Sequence, residues 1–284
     1  PGTGKSMLAA RLPGILPPMT EQEALESAAI RSLAQQQPFD ARGWNRRPFR
    51  APHHTASAVA LVGGGSHPKP GEISLAHHGV LFLDELPEYD RHVLEVLREP
   101  MENGSITISR ANRQADYPAR FQLLAAMNPC PCGHLGDGSD RCHCTAEQIS
   151  RYRNRISGPL LDRIDMHVEV PRQPIPVSQQ QFKEPEEGSD LIRARVISAR
   201  RQQQHRQGMT NQALAGRAIE SHIQINEPGQ RLLQNAIDQL GLSMRAYHRI
   251  IKVARTIADL EQSSEINTLH LSEAIGYRRL DRSR

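Results

Sequence analysis

With 284 residues, 38% of them hydrophobic, the chain can form one large domain and a smaller second one, each with its own core. No run approaches the roughly 18 consecutive apolar residues of a membrane span, and no charged stretch followed by an apolar one opens the chain. These features exclude a membrane-spanning protein and favour a soluble, cytoplasmic one. The formal net charge of +4 is too small to establish a nucleic-acid partner.

The chain opens on a glycine-rich segment, and its residues Gly2, Thr3, Gly4, Lys5 and Ser6 are predicted to bind nucleotide. The segment matches the second half of the motif G-x-x-x-x-G-K-[ST], in which backbone N–H groups cradle phosphate, Lys reaches the β and γ oxygens and Ser holds Mg²⁺. A chance match to so short a motif is the alternative. Apolar residues at helical spacing follow, as expected behind such a loop. Because the motif's first Gly is missing, we expect the chain to be a fragment.

A second helix is predicted over residues 21–36, with acidic residues in its first turn. The segment Arg42–Thr55 is basic and leads into Gly63-Gly64-Gly65, which suits no regular element, so we interpret this stretch as a mobile insertion. The pairs His53-His54 and His77-His78 suggest metal ligands. However, adjacent side chains on a strand point to opposite sides, so we leave them unassigned.

The apolar run Val80–Leu83 has the profile of a strand buried on both faces of a parallel sheet, and it ends in Asp84 and Glu85. In such a sheet ligands bind at the carboxyl ends of the strands. Asp84 is predicted to hold Mg²⁺ together with Ser6, and Glu85 to act as the catalytic base that activates water. An acidic pair at the start of a helix is the alternative, but it does not explain the apolar strand that precedes it.

A helix is predicted around Val93–Leu97, and Ser105–Ile108 should form a hairpin with residues 114–117. Phe121–Met127 is the next buried strand and ends at Asn128. If this strand neighbours the one before Asp84, the Asn128 amide is placed to position the attacking water. An ordinary Asn-Pro turn is the alternative.

All four cysteines lie within fifteen residues, as Cys130, Cys132, Cys142 and Cys144. Two Cys-x-Cys pairs supply four thiolates to a tetrahedral structural zinc site, although the spacing is tighter than usual and a neighbouring histidine, His134 or His143, could replace one ligand. The alternative is four reduced thiols in a loop. A disulfide framework does not fit so local a cluster.

Residues Leu160–Val170 lead into a last predicted strand, Met166–Val170. Arg163 precedes it and is a candidate arginine finger for the γ-phosphate of an adjacent subunit. A surface salt bridge with Asp162 or Asp165 is the alternative. Alternating strands and helices up to this point predict an α/β fold, a parallel sheet in an α/β/α sandwich.

The predicted organisation is an ATPase core over residues 1–172, a polar, proline-rich linker over 173–188 and a small all-helical domain over 189–284. Four helices are predicted in that last domain: Asp190–Arg206, Gln230–Leu240, Ser243–Gln262 and Leu269–Arg279. The third has Ser243 as its N-cap. Arg245, in its first turn, is a second candidate phosphate sensor, with a solvated arginine as the alternative.

In five features together, the chain resembles the AAA+ module of the ComM/YifB family of Mg-chelatase-like proteins. These features are the phosphate loop, the Asp84-Glu85 strand, Asn128, the Leu160–Ile164 segment and the helix after Ser243. The segment Arg47–Thr55 and the Cys-x-Cys pairs add to the resemblance. It implies a hexameric ring that hydrolyses ATP with Mg²⁺, in which Asn128 is the first sensor, Arg163 the finger and Arg245 the second sensor. ComM-type members are DNA helicases that drive branch migration during natural transformation.

In such a ring, the basic insertion and the hairpin can face a central channel and meet DNA phosphates without sequence preference. The candidate DNA contacts are Arg50, Lys69, Arg110 and Arg113. A merely solvated basic face is the alternative.

Two rival functions would use the same predicted ATP-binding residues: a chelatase-like or protein-remodelling AAA+ subunit without DNA activity, and a nucleotide-binding scaffold without turnover. The presence of both Glu85 and Arg163 argues against the scaffold.

Overall fold

The computed structural model describes residues 3–34, 43–65, 68–110, 113–138, 140–171 and 187–278. They form two compact units. The first contains residues 3–14 and 18–163, and the second contains residues 164–169 and all the helices from Ser189 onward. Most of the predicted linker over 173–188 lies outside the described residues, as do Pro1 and Gly2.

The first unit combines helices with short strands. Its helices are α1 (Lys5–Arg11), α2 (Glu21–Ala34), α3 (Ala58–Val62), α4 (Glu72–Leu75), α5 (Arg91–Glu95), α6 (Arg98–Asn103), α7 (Ala146–Arg153) and α8 (Gly158–Leu161). Its strands are β1 (Phe49–Arg50), β2 (Gly63–Gly64), β3 (Lys69–Pro70), β4 (Val80–Leu83), β5 (Ser105–Arg110), β6 (Arg113–Pro118) and β7 (Gln122–Ala125).

A three-stranded parallel sheet in the order β1-β4-β7 forms the centre of this unit. All four residues of β4 are buried, as its continuous apolar run predicts. Leu81 and Leu83 pack into one core cluster with residues of α4, α5 and α8, whereas Phe82 packs with Ala9 of α1 on the other face. Helices therefore cover both faces, and the predicted α/β class with a parallel sheet is confirmed.

Strand β1 corrects the prediction that Arg42–Thr55 is an insertion, because Phe49 and Arg50 pair with Val80 and Leu81 in the central sheet. The close approach of the β1 and β4 segments depends on Gly79, where a Cβ atom would lie 2.1 Å from the Pro48 carbonyl oxygen. A strand of two residues, Phe49–Arg50, is too short to show an apolar run or a periodic pattern in the sequence. Two of the three glycines expected to suit no regular element, Gly63 and Gly64, form β2, which pairs with β3.

The predicted hairpin is confirmed by strands β5 and β6, which pair antiparallel from Ser105↔Pro118 to Arg110↔Arg113. Ile106 and Ile108 of β5 have buried side chains. The Thr107 hydroxyl donates a hydrogen bond to Asp116 across the strands, at 2.6 Å. The tip and the side chains of Arg110 and Arg113 lie outside the described residues.

The predicted strand Met166–Val170 is wrong, because residues 166–170 have no regular secondary structure. The backbone N–H of His167 donates to the Tyr277 carbonyl oxygen at 2.7 Å instead of joining a strand ladder. Met166 and Val168 are 42% and 63% exposed, so their alternation does not mark a buried face. Apolar alternation over five residues was not enough to specify a strand here.

The second unit is helical, as predicted. Its helices are α9 (Ser189–Gln207), α10 (Arg217–His222), α11 (Glu227–Leu240), α12 (Met244–Leu260) and α13 (Thr268–Gly276). Ser243 caps α12 by accepting a hydrogen bond from the Ala246 N–H at 3.1 Å. Buried Asp259 pairs with Arg206 and Arg255, which ties α9 to α12. Within the described residues, no helix is both long and apolar enough to cross a membrane.

Candidate active site at the carboxyl edge of the sheet

Three distant segments meet at the carboxyl ends of β4 and β7. Nζ of Lys5 donates hydrogen bonds to Thr3 Oγ1 at 3.2 Å and to Asn128 Oδ1 at 3.3 Å. The Ser6 hydroxyl donates to Asp84 Oδ2 at 2.5 Å. Asp84 and Asn128 follow β4 and β7, which are adjacent and parallel, so their side chains emerge at one edge.

The phosphate-loop segment enters α1 through Gly4, whose φ of 77° is left-handed and favours glycine. The first turn of α1 carries Lys5 and Ser6, at the end of a helix where free backbone N–H groups attract anions. A lysine, a hydroxyl, a carboxylate and an amide are thus gathered where a phosphate and a hard cation can bind.

Glu85 lies next to this group, in a left-handed backbone conformation with φ 53° and ψ 46°. Its backbone N–H donates to Asp84 Oδ1 at 2.9 Å, so both oxygens of Asp84 are engaged. The Glu85 side chain is 54% exposed, and its Oε2 lies 3.2 Å from His54 Nδ1. An exposed carboxylate beside the predicted phosphate site is suited to accept a proton from water.

The segment that follows β1 forms a second wall beside Glu85. A cleft of about 300 Å³ is lined by Ala51, Pro52, His53, His54, Phe82, Asp84 and Glu85. Tyr89 donates its hydroxyl to the Pro52 carbonyl oxygen at 2.6 Å. Burial, aided by the Asp84 carboxylate, raises the pKa of Tyr89 to about 12, so this hydroxyl keeps its proton and remains a donor.

Arg163, the predicted finger, is buried in its own unit, with its side chain only 7% exposed. Its guanidinium pairs with Glu102 at 2.7 Å and donates to the Pro159 carbonyl oxygen at 2.6 Å. The partner is therefore neither Asp162 nor Asp165, and the arginine side of the pair is buried. In this conformation the guanidinium does not reach outward, as a finger would.

Arg245, the other predicted sensor, lies in the first turn of α12 in the helical unit and is exposed. The helix start that presents it is fixed by the Ser243 cap. Arg249, one turn further along the same helix, pairs with Asp165.

Two of the four candidate DNA contacts, Arg50 and Lys69, have side chains among the described residues. Arg50 lies in β1 and forms a two-pronged ion pair with Glu72, with both nitrogen-to-oxygen distances at 2.6 Å. Burial alone would lower the pKa of Arg50, but the hydrogen bonds to Glu72 are the larger influence and raise it. Lys69 in β3 is exposed. Arg50 is therefore committed to a structural pair, whereas Lys69 faces solvent.

The four cysteines converge, as the sequence predicts for one local site. All four Sγ atoms lie within 4.8 Å of one another. The measured separations are 3.4 Å from Cys130 to Cys132, 3.8 Å from Cys130 to Cys142 and 3.7 Å from Cys132 to Cys142. A hydrogen bond with the His134 backbone and the neighbouring thiols lower the pKa of Cys132 to about 6. The ring of His134 pairs with Asp137 at 3.0 Å.

The histidine pairs do not behave as adjacent residues of a strand. His54, His77 and His78 lie in turns, with His78 at φ 59°. The two rings of each pair lie close together, with centroid distances of 4.1 Å for His53-His54 and 3.8 Å for His77-His78. The expectation that they point to opposite sides is wrong for this reason.

Glu26, His77 and His78 also offer three ligand atoms within 4.8 Å of one another. Nδ1 of His77 accepts the Arg120 backbone N–H at 3.0 Å, so the ring proton is on Nε2, which faces Glu26 Oε2 at 3.3 Å. A metal ion at Nε2 would require that proton to leave. The cluster is therefore a hydrogen-bond network that ties α2 to the start of β4.

Sequence reasoning missed three residues that contact predicted site residues: His54 beside Glu85, Glu102 beside Arg163 and Glu72 beside Arg50. Only the contact of His54 could have been found from the sequence. Had β1 been recognised as a parallel neighbour of β4, counting along both strands would have placed His54 opposite Glu85. The two glutamates lie on helices whose packing no local pattern specifies.

Comparison with known proteins supports the same family. Residues 1–177 match the family described as Magnesium chelatase, subunit ChlI, and residues 186–278 match Magnesium chelatase, subunit ChlI C-terminal. Over 111 residues, which are 39% of this chain and 24% of the relative, the chain is 27% identical to Magnesium-chelatase subunit ChlI of Bigelowiella natans.

Longer matches are found among bacterial proteins. The chain is 52% identical over 282 residues to Uncharacterized protein YifB of Salmonella typhimurium and, over the same length, 52% identical to Competence protein ComM of Haemophilus influenzae. Each match covers 99% of this chain and 55% of the relative, so the chain spans about half the length of the curated relatives it matches. The resemblance inferred from the motifs is confirmed. This chain belongs to the ComM/YifB family of magnesium-chelatase-like AAA+ proteins.

Proposed function

We propose that this chain is the ATP-hydrolysing part of a cytoplasmic AAA+ motor, a hexameric DNA helicase or branch-migration translocase of the ComM type. The observation that carries the ATPase part is the convergence of Lys5 and Ser6 with Asn128 and Asp84 at one edge of the sheet. These residues come from three separated segments of the chain. Membership of the magnesium-chelatase-like AAA+ family also implies ATP hydrolysis.

Within this proposal each side chain has one task. Lys5 balances the charge of the β- and γ-phosphates, and Asn128 orients the attacking water. Glu85 accepts the proton of that water. Ser6 and Asp84 supply the hydroxyl and carboxylate oxygens that Mg²⁺ prefers. These two oxygens lie 2.5 Å apart, so both are at one place. The cation, when bound, would neutralise charge on the transferred phosphoryl group.

Assembly into a ring is the part of the proposal that involves Arg163 and Arg245. For Arg163 to serve a neighbouring subunit, its guanidinium must leave Glu102, which at 39% exposure can itself be reached by solvent. Arg245 is exposed at the capped start of α12. An arginine supplied from a second subunit is worth roughly 10³-fold or more in phosphoryl transfer.

The DNA part of the proposal is supported by exposed Lys69, by the arginine positions Arg110 and Arg113 next to the hairpin tip, and by the name of the relative Competence protein ComM. Arg50 is a weaker candidate, because Glu72 already neutralises it. Contacts of this kind are electrostatic and independent of base sequence, so they weaken as salt rises.

The test of the DNA part is ATP turnover by the full-length protein with and without single-stranded or forked DNA, across a salt titration. We expect DNA to stimulate turnover several-fold at low salt, and the stimulation to fade as salt increases. Lys69→Gln should reduce the stimulation while leaving turnover without DNA unchanged. Arg217→Gln, which removes an exposed positive charge of the helical unit, is the control and should behave like the unsubstituted protein.

A second candidate function is a magnesium-chelatase-like or protein-remodelling AAA+ subunit without DNA activity. It is favoured by the family description and by the likeness to a protein named Magnesium-chelatase subunit ChlI. Turnover that is indifferent to DNA at every salt concentration would support this candidate and contradict the helicase proposal.

We further propose that the four cysteines hold a structural zinc ion. In a tetrahedral site with zinc-to-sulfur bonds of about 2.3 Å, neighbouring sulfurs lie about 3.8 Å apart. The measured separations of 3.4 to 3.8 Å are close to this value and far longer than the roughly 2.05 Å of a disulfide. The donor set is thus arranged as a zinc site requires, and His134, paired with Asp137, is not needed as a ligand.

A further inference from the structure

Strands β2 and β3 form a ribbon of two residues each, Gly63–Gly64 and Lys69–Pro70, which we call the lysine ribbon. An isolated two-stranded ribbon is at best marginally stable in water. Glycine adds backbone freedom, and Gly63 has a φ of 105° that other residues rarely adopt. The position of Lys69 must therefore be fixed by contacts between the lysine ribbon and other elements.

The hairpin of β5 and β6 contacts both strands of the lysine ribbon. The Tyr117 hydroxyl donates a hydrogen bond at 2.7 Å to the carbonyl oxygen of Pro68, the residue before Lys69. At the other strand, a Cβ atom on Gly63 would lie 2.9 Å from Cδ1 of Ile108, so the bare glycine backbone packs against this buried side chain. One hydrogen bond and one apolar contact thus hold the ribbon against the hairpin.

Both contacts come from the face of the hairpin that also includes its two arginine positions. Ile108 and Arg110 of β5 lie opposite Ala115 and Arg113 of β6. Positions along a strand alternate between its two faces, so these four positions and Tyr117 share one face. The other positions of the two strands hold no basic residue. The basic positions of the hairpin and the exposed Lys69 are therefore brought together by Tyr117 and Ile108.

The base of the hairpin is anchored in the core of the unit. Ile106 belongs to the same buried cluster as Leu83, the residue before Asp84, and Tyr117 packs against that cluster. A shift at the carboxyl end of β4 can thus reach the hairpin by direct packing and, through Tyr117, the lysine ribbon.

We propose that Tyr117 is a positioning residue that holds Lys69 together with Arg110 and Arg113 as one contact surface for the phosphates of single-stranded DNA. The role rests on the proposed function, in which these basic residues meet DNA. A single exposed cation contributes little to binding, because salt screens it. Basic groups held in a fixed arrangement bind one strand with less loss of conformational freedom, and their contacts form together.

Two measurements on the full-length protein test this role. Tyr117→Phe removes the hydroxyl and keeps the ring. We expect the Kd for a fluorescent single-stranded thymidine oligonucleotide to rise about two- to fivefold at low salt, and amide hydrogen exchange over residues 63–70 to become faster by a similar factor. Tyr277→Phe removes a tyrosine hydroxyl that donates to Glu273 in the helical unit. It is the matched control and should change neither quantity.

A double substitution separates positioning from a general structural effect. Lys69→Gln should weaken oligonucleotide binding less in Tyr117→Phe than in the otherwise unsubstituted protein, because the lysine is then no longer held in place. Equal losses in the two backgrounds would overturn the proposal, and so would unchanged hydrogen exchange of the ribbon in Tyr117→Phe.

If thermal unfolding shows that Tyr117→Phe does not fold, Ile108→Val is read by the same criteria, since it removes the Cδ1 atom that lies against Gly63. Binding of the oligonucleotide with equal Lys69→Gln losses refutes the role of Tyr117 alone. Absence of binding by the unsubstituted protein at low salt would instead refute the proposed DNA function, and the role of Tyr117 with it.

Discussion

At the scale of single residues, the partner of a charged side chain decides what that side chain can do. Arg50 and Arg163 are both arginines that the sequence marks as functional, yet each is held by a glutamate that lies on a helix. Among the described residues, Lys5 is held only by hydroxyl and amide oxygens, neutral groups that a phosphate can displace. The phosphate loop is thus left with an available cation, whereas the two arginines must first lose an ion pair.

His77 provides a prediction at this scale. Burial, together with the neighbouring His78, lowers the pKa of His77 from 6.5 to about 4, and hydrogen bonds led by that from His78 lower the pKa of Glu26 from 4.5 to about 2. Both groups bind protons less readily in the folded state than in the unfolded state. The stability they contribute is therefore complete above about pH 6.5 and is lost as the pH falls, first through His77 and then through Glu26.

We expect the unfolding temperature of the full-length protein to fall by roughly a few degrees between pH 7 and pH 4.5 because of His77. In His77→Gln this fall should be smaller, since no ring remains to be protonated. His92→Gln, a change at an exposed histidine, is the matched control and should show the unsubstituted slope. Parallel pH profiles for His77→Gln and the unsubstituted protein would contradict the assignment.

At the scale of elements, the sequence predicts best where one local pattern has one structural solution. The four-residue apolar run of β4, the alternation of β5 and β6 and the amphipathic, capped α12 are all present. Strand β1 was missed because two residues carry no periodicity, and residues 166–170 were assigned as a strand although no ladder partner was specified. Long-range pairing, rather than local propensity, decides such short strands.

The same limit applies to the site. The convergence of Lys5 with Asn128 and of Ser6 with Asp84 could be predicted because each residue belongs to a motif next to a recognisable element. The partners Glu72, Glu102 and His54 could not, since they are brought in by the packing of α4, of α6 and of the segment after β1.

The loop between β7 and α7 carries the second prediction at this scale. Buried Cys130 lies two residues after Asn128, and Arg153 of α7 donates to the Pro129 carbonyl oxygen at 3.3 Å. A metal ion held by the four thiolates would therefore stabilise the chain on which Asn128 depends. We expect the purified full-length protein to contain about one zinc ion per chain, and Cys142→Ser to lose it together with much of the ATP turnover.

Asp140→Asn, an exposed change in the same loop, is the control and should keep both zinc and turnover. Metal analysis and thermal unfolding with and without a chelator provide the measurements. Zinc well below stoichiometric amounts, with an unfolding temperature that a chelator does not alter, would contradict the zinc site.

At the scale of the whole molecule, the chain combines a sheet-based unit that carries the predicted phosphate and carboxylate residues with a helical unit that carries Arg245. The two family matches follow a similar division along the chain. Because the chain spans about half the length of its curated relatives, activity is best measured on the full-length protein. At this scale we propose that the molecule hydrolyses ATP with Glu85 as the base.

The most direct measurement is ATP turnover and ATP binding by the full-length protein carrying Glu85→Gln, beside the control Glu88→Gln, which changes an exposed carboxylate paired with Arg155. We predict that Glu85→Gln lowers turnover by about 10²-fold or more while ATP binding is retained, because the amide cannot accept the proton of the attacking water. Glu88→Gln should hydrolyse ATP at the unsubstituted rate. Undiminished hydrolysis by Glu85→Gln would contradict the assignment of the base and, with it, the proposed mechanism.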